Sequence, residues 1–369
     1  MHRRRLAVCE REWTSLSTGR VADRRFVEHV WYGDDAAATV LRAALAPLER
    51  VFGGIVGARD ILYDAGWLPA HATPIPAVSV GNLSVGGTGK TPISAWIARG
   101  LTDRGAHPAI ILRGYGDDEL LVHRVLNPRV PVVVGVDRAV AVTEAARQGA
   151  DVAVLDDAFQ HRRVQRMADI VLVSADRWTP DVRLLPAGPW REPLKAVRRA
   201  TLVIVTRKAA NDRTVDSVHE RLSRVASDIP RVSVRLAPHE LVRADAPDDR
   251  RALDAVGGAT VHAVLSIADP RAFVRQLEEL GAAVRPVIFP DHHSFTDEEV
   301  RRVWSRFRPD DLVVCTLKDA VKLAPRWPRL APMLWYVSQQ VMVERGVGGL
   351  ERVLDDLVRA RSRSSTTAG

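Results

Sequence analysis

The sequence predicts an α/β protein, a parallel sheet flanked by helices, with a second, smaller α/β domain behind it and an amphipathic segment ahead of it. Three observations predict this. From Pro76 onward the short runs "PAVSV", "PAIIL", "VPVVV", "DVAVL", "DIVLV" and "TLVIV" alternate with helical stretches, and strands apolar throughout suit a parallel sheet covered on both faces. The chain has 369 residues, which at about 100–200 residues per domain means two domains. Its 46% hydrophobic and 27% charged residues lie in the globular range and exclude wholesale disorder.

Residues 1–25 are arginine-rich without apolar periodicity and read as a flexible extension or a misplaced start. No apolar stretch of about 7–15 residues follows the basic start, so a secretory signal is not expected. In residues 26–64, Leu41, Leu45, Leu48, Phe52 and Ile55 recur at helical spacing, with Arg42, Glu49 and Arg50 off the stripe. Pro47 is expected to kink this helix. Its charges exclude a spanning helix of about 20 apolar residues, and the stripe fits either a membrane surface or the protein's own core. Residues 65–240 then form the main core, with the polar stretch 235–259 as the connection. The smaller domain, 241–360, carries "TVHAVLSI", a helix from Pro270 to Leu280, "VRPVIF", a helix from Thr296 to Phe307, "DLVVCT" and "LWYVS". Residues 361–369 read as a frayed tail.

A net charge of +8 fits nucleic acid, an anionic membrane or an anionic substrate equally. Lysine supplies only five of the 53 basic side chains: Lys90, Lys195, Lys208, Lys318 and Lys322. Where arginine has displaced lysine, a surviving lysine marks either a need for a compact ammonium or chance. Lys318 and Lys322 share "TLKDAVKL", which makes that segment a second place of interest. Cys9 and Cys315 match no metal-ligand spacing, so a reducing compartment is the simpler inference.

The stretch "VSVGNLSVGGTGKTP", Val78 to Pro92, joins a strand through a loop of small residues to a helical pattern. The strict phosphate-loop pattern asks for glycine where Ser84 stands. The glycines beside the lysine are present, however, and those allow close approach of a phosphate. Across Ser84, Val85, Gly86, Gly87, Thr88, Gly89, Lys90 and Thr91, backbone N–H groups can face an anion, Lys90 adds a point charge and Thr91 a hydroxyl for Mg²⁺. The alternative is a glycine-rich turn with an incidental lysine. "DVAVLDDAFQHRR" runs an apolar strand into Asp156 and Asp157, the acidic partner that Mg²⁺ needs beside such a loop, with Gln160 and His161 next to it; adjacent aspartates also start ordinary turns. For a base toward an acceptor hydroxyl, "RGYGDDELLVHR" offers Asp117, Asp118 or Glu119 at the sheet's C-terminal edge. "FPDHHSF" offers Asp291, His292 and His293, open between a structural, a catalytic and a metal-binding reading.

Together "VGNLSVGGTGKTP", "RGYG", "LDDAFQHRR", "LLPAGPWREPL", "FPDHHSF" and "KDAVKL" resemble, in order and spacing, the tetraacyldisaccharide 4′-kinases of lipid A synthesis, over about Val27 to Leu323. The serine-containing loop is what that family's loop looks like. The resemblance implies a P-loop NTPase-like sheet and ATP- and Mg²⁺-dependent transfer of a γ-phosphoryl group to the 4′-hydroxyl of a tetraacylated disaccharide 1-phosphate. It places the reaction at the cytoplasmic face of the bacterial inner membrane, with the lipid substrate and the membrane surface as partners, no nucleic acid, and the oligomeric state open. By similarity Lys90 and Thr91 hold phosphates and Mg²⁺, and Asp156 and Asp157 form the metal side with Gln160 and His161 nearby. Asp118 is the base, paired with His292 across the domain cleft, and Arg191 and Glu192 of "PWREP" line that cleft. The segment between "RGYG" and Asp117 is shorter than the family's, which leaves Asp117 as the alternative base; Leu317 and Ala158 replace the family's acidic residue and glycine. The rival readings are a P-loop ATPase working as a switch or motor on nucleic acid, against which stands the lack of interleaved aromatic and basic residues, and a non-enzymatic nucleotide-binding protein.

Overall fold

A computed structural model describes residues 26–114 and 117–366, without the side chains of Asp117 and of residues 362–366. The expected amino-terminal extension lies outside the described residues. The chain divides into two compact units, one formed by Arg42–Ala237 with the chain from Gln340 onward, the other by Pro238–Gln339 with the described residues up to Leu41. Both later boundaries fall inside strands. The sequence places a single division near residue 240, whereas the structure returns the end of the chain to the first unit. The helix over Val347–Thr366 buries Leu350, Leu354 and Leu357 against strand residues of that unit. It also runs through most of the segment expected to fray.

In the first unit the strands are β1 (Ala77–Asn82), β2 (Pro108–Leu112), β3 (Val132–Val134), β4 (Val152–Asp156), β5 (Ala168–Ser174), β6 (Leu202–Arg207) and the first half of β7 (Arg231–Arg243). They lie in the order β7-β6-β5-β1-β4-β2-β3, all parallel. Successive side chains of a strand point to opposite faces, and here both faces are covered. Ile110 and Val154 pack with Ile93, Ile97 and Leu101 of the helix Lys90–Asp103. Their neighbours Ile111 and Leu155 pack with Ala141, Val142 and Ala145 of the helix Arg138–Arg147. This is why the strands show no polar alternation. β1 lies between β4 and β5, and the chain leaves it toward β2 on one side and later crosses back to β5 on the other. The crevice beyond the C-terminal end of β1 is therefore the switch point where open α/β sheets take ligands.

The amphipathic segment is one helix, Ala36–Asp64, unbroken through Pro47. Proline withdraws a hydrogen bond from the carbonyl of Ala43, but Ala43 and Pro47 are exposed, so water satisfies that carbonyl. One side of the helix is tied down: Glu49 accepts from the Leu184 N–H at 2.7 Å and pairs with Arg183 at 3.2 Å. On the other side Val40, Leu48, Val51, Ile55 and Ile61 are all exposed.

The second unit has the parallel order β10 (Ala283–Ile288), β9 (Thr260–Leu265), β11 (Leu312–Thr316), β12 (Leu334–Arg345, to Gln339 in this unit). The stretch expected as a connection is instead a hairpin, in which the second half of β7 pairs antiparallel with β8 (Ala246–Ala252). Its polar residues face outward, while Leu241 and Val242 are buried, which periodicity in so short a run does not reveal. The helix Asp297–Trp304 starts at a capping box between Thr296 and Glu299.

Candidate active site

The loop after β1 leads into a helix that begins at Lys90 with no side-chain cap; the preceding Gly89 is left-handed, φ 88°. A first turn without a capping side chain leaves N–H groups and the positive end of the helix dipole for an anion. The φ of Gly89 is what asks for glycine; a Cβ there would stand 2.5 Å from Leu236 Cδ1, which would have to move aside. The loop is pinned from beneath. Asn82 Nδ2 donates to Thr88 Oγ1 at 2.8 Å, the Thr206 hydroxyl donates to the Thr88 carbonyl at 2.9 Å, and Val85 N–H donates to the Pro189 carbonyl at 2.8 Å. Ser84 bridges to Trp190, so the residue that departs from the strict pattern sits in backbone pairing with the "PWREP" segment. Thr91 is buried at the second helical position.

Register sets Val80 beside Asp156, so the acidic pair ends the strand next to the loop. Asp157 has φ 47°, a left-handed conformation that aspartate tolerates better than most residues. The turn is held by Arg138, buried at the start of its helix, whose guanidinium donates to the carbonyls of Asp156 at 3.0 Å and Asp157 at 3.2 Å. The Asp157 carboxylate lies 3.9 Å from Lys90 Nζ and accepts from Arg191 at 3.1 Å. Burial alone would raise its pKa, but Lys90 and Arg191 outweigh that and hold it below the usual carboxylate range. Arg191 also donates to the side-chain oxygen of Asn82, and Gln160 donates to the Asn82 carbonyl at 2.8 Å.

Asp156 is buried, with Oδ2 at 3.0 Å from Nε2 of the fully buried His123. Among the described residues its Oδ1 has no hydrogen-bond partner, nor has Gln160 Oε1. Unpaired buried oxygens are costly unless something occupies them, and hard oxygen donors in small number suit Mg²⁺, which takes one or two carboxylates and completes its shell with phosphate and water. Among the described residues no group of three His, Cys, Asp or Glu side chains could hold a metal alone. Asp156 and Gln160 fit the expected metal role directly, whereas Asp157 is engaged with two cations. His161, beside Gln160, has its pKa lowered to about 4 by burial and then by surrounding arginines, Arg138 foremost, so it is neutral at neutral pH.

Glu192 lies elsewhere than expected. It is fully buried, its two oxygens accepting from Arg59 and Arg199 at 2.5 Å each, and Asp60 completes the cluster with Arg199 at 2.9 Å. A carboxylate without water needs such cations, so Glu192 fastens the helix Ala36–Asp64 to the loop that carries Arg191, and its oxygens do not face a cleft. Asp118 is buried in the first turn of the helix Asp117–Leu126, where its Oδ1 accepts from Glu119 N–H at 3.1 Å. The side chain of its alternative, Asp117, lies outside the described residues. In the other unit the two histidines separate. His293 stacks on Phe289 and pairs with Glu299 at 3.2 Å, a structural place, while His292 is exposed with a left-handed φ of 56°. Arg138 and His123 escape sequence reading. The "VDRAV" helix start is legible through Asp137, whose carboxylate caps it, but nothing local says that its arginine turns inward.

Gly81 shows how tightly this edge is built. A Cβ there would stand 2.6 Å from Phe159 Cβ and 2.8 Å from its backbone nitrogen, in the loop just after Asp157. Gly81→Ala is expected to destabilise the protein by about 1–3 kcal/mol through overpacking, read as a lower urea midpoint at unchanged slope.

A parallel sheet with an uncapped glycine-rich loop at its switch point, a lysine opening the following helix and an acidic strand end alongside defines a P-loop phosphotransferase-type fold. A family model described as tetraacyldisaccharide-1-P 4′-kinase matches residues 41–359, and the chain belongs to that family. Its relatives are phosphotransferases that act on a hydroxyl group. A tetraacyldisaccharide 4′-kinase of Halorhodospira halophila is 36% identical over 323 residues, covering 81% of this chain and 88% of the relative. One from Anaeromyxobacter sp. strain Fw109-5 is 36% identical over 374 residues, covering 93% of this chain and 99% of the relative. Among solved structures, the "apo" form of LpxK from Aquifex aeolicus in complex with ATP superposes with a TM-score of 0.67 at 28% identity, over 87% of this chain and 99% of that one.

Proposed function

We propose that the protein transfers the γ-phosphoryl group of ATP to the 4′-hydroxyl of a tetraacyldisaccharide 1-phosphate. The observation that carries this reading is the cluster at the loop's mouth, where Lys90 and Arg191 converge on the Asp157 carboxylate in the place that phosphate oxygens would take. The backbone N–H groups of Gly86 to Thr91 seat the β- and γ-phosphates. Asp156, Gln160, Thr91 and Asp157 would hold Mg²⁺, which when bound would offset the negative charge that develops during transfer. Asp118 takes the proton of the 4′-hydroxyl as its oxygen bonds to the γ-phosphorus and the bond to the ADP oxygen breaks, and His292 is assigned the part of assisting that proton transfer. Arg191 stabilises the transferring oxygens. In support, Asp118 and His292 each follow the C-terminal end of a parallel strand, β2 and β10.

The test is direct. Purified protein with ATP, Mg²⁺ and the disaccharide 1-phosphate lipid should yield a product heavier by one phosphoryl group, and its absence overturns the reading.

The lipid substrate implies work at a membrane surface, here assigned to the cytoplasmic face of the inner membrane. No described helix is long and apolar enough to cross one. The exposed ridge of Val40, Leu48, Val51 and Ile55 supports peripheral docking instead. Leu48→Ser, Val51→Ser and Ile55→Ser combined should weaken binding to anionic vesicles at least about tenfold, which is about 1.4 kcal/mol and less than burying one such side chain supplies. Unchanged cosedimentation would mean the ridge does not touch lipid.

A further inference from the structure

The "KDAVK" segment has no part in the chemistry above, yet it holds a fully buried carboxylate. Asp319 accepts from both the N–H of Ser266, at 2.8 Å, and the Ser266 hydroxyl, at 2.5 Å, on one oxygen, and from the Thr316 hydroxyl at 2.7 Å on the other. Lys322 donates to the same Ser266 hydroxyl oxygen at 2.6 Å, stands 3.9 Å from the carboxylate, and lies over the Phe295 ring. Ser266 is the residue that follows β9. Its own carbonyl accepts the N–H of His292 at 3.2 Å, and one residue earlier the Leu265 carbonyl accepts from Phe289.

The chain of contacts is thus short and directional. Two side chains of one helix fix the N–H and the hydroxyl of Ser266, and the Ser266 carbonyl fixes the backbone of His292. That backbone needs fixing, because a left-handed histidine costs about 1–2 kcal/mol unless its surroundings over-determine it. A buried carboxylate facing a half-buried ammonium is no better for stability than apolar residues of the same volume, so their presence asks for a reason of geometry.

We propose that Asp319 and Lys322 are positioning residues for the phosphoryl transfer, acting through Ser266 to hold His292 in its left-handed conformation and aim its imidazole. This rests on the role given to His292 above, and the experiment separates the two. Lys322→Met keeps the apolar stem over Phe295 and removes only the ammonium; Asp319→Asn keeps the volume and removes the charge, and serves as a second variant. Hydrogen exchange of peptides spanning 289–293 should quicken at least tenfold in either folded variant, while peptides of the helix 347–366 stay unchanged. Exchange at the wild-type rate overturns the proposal whatever the role of His292.

The kinetic arm is a cycle with His292→Ala. Lys322→Met alone should lower kcat about 10- to 100-fold, the range that a misplacement of about 1 Å produces, with KM for ATP within twofold. Added to His292→Ala it should lower kcat no further. An equal loss in both backgrounds overturns the proposal. Faster exchange together with a wild-type rate for His292→Ala leaves the clamp standing and refutes the catalytic part assigned to His292.

Discussion

Lys90→Ala is expected to reduce phosphoryl transfer by about 10³-fold or more while the protein remains folded. The loss follows from position. Lys90 opens the helix whose first turn offers its N–H groups, and its ammonium adds a side-chain charge to those backbone donors. Removing a single preorganised donor aimed at developing charge typically costs about 10²–10³-fold, and a full charge in a partly buried site belongs at the upper end. The fold should not depend on it. The ammonium reaches Asp157 only at 3.9 Å, and that carboxylate keeps Arg191 at 3.1 Å and its backbone clamp from Arg138. Single-turnover product formation and the thermal midpoint, measured on the same preparation, test both halves. Activity near wild type would take the loop lysine out of the mechanism.

Asp118→Asn is expected to lower kcat by about 10²–10⁴-fold, the usual worth of a positioned general base, with ATP affinity unchanged. Asparagine keeps the volume and can still accept from the Glu119 N–H, so the first turn of its helix should survive. It cannot take a proton at neutral pH. Asp117→Asn is the companion variant, since the two aspartates are adjacent. If Asp118→Asn turns over at the wild-type rate and Asp117→Asn does not, the base is Asp117. Nucleotide binding by calorimetry separates a lost base from a lost site.

Much of the site was legible because its signals are local. A strand, a loop of small residues and a lysine at a helix start are contiguous, so their spacing alone poses backbone N–H groups toward an anion. The adjacent aspartates at the end of β4 follow by the same logic, since an apolar strand must end at the sheet edge. The hairpin over residues 238–252 was not legible. Its two buried residues, Leu241 and Val242, are successive, sit among charged residues and pack into separate clusters on opposite faces, so neither period reveals them. Adjacency to Arg191 says little about Glu192: one side chain reaches Asp157 while the other is buried between Arg59 and Arg199.

By itself, then, the sequence determined the covered parallel sheet, the phosphate loop, the acidic strand end and the family, all properties that depend on period, composition or contiguous spacing. Only the tertiary structure decided that the chain's end returns to the first unit, that His123 and Arg138 hold the acidic pair, and that Asp319 and Lys322 reach His292 through Ser266. The hydrogen bonds among these residues join positions between 18 and 56 apart, and the charge pairing and hydrogen bonding that make them act through space. No local pattern records which of 48 arginines or 45 acidic residues turns inward, because burial, and with it the strength of each pair, is set by the packing of the elements around it.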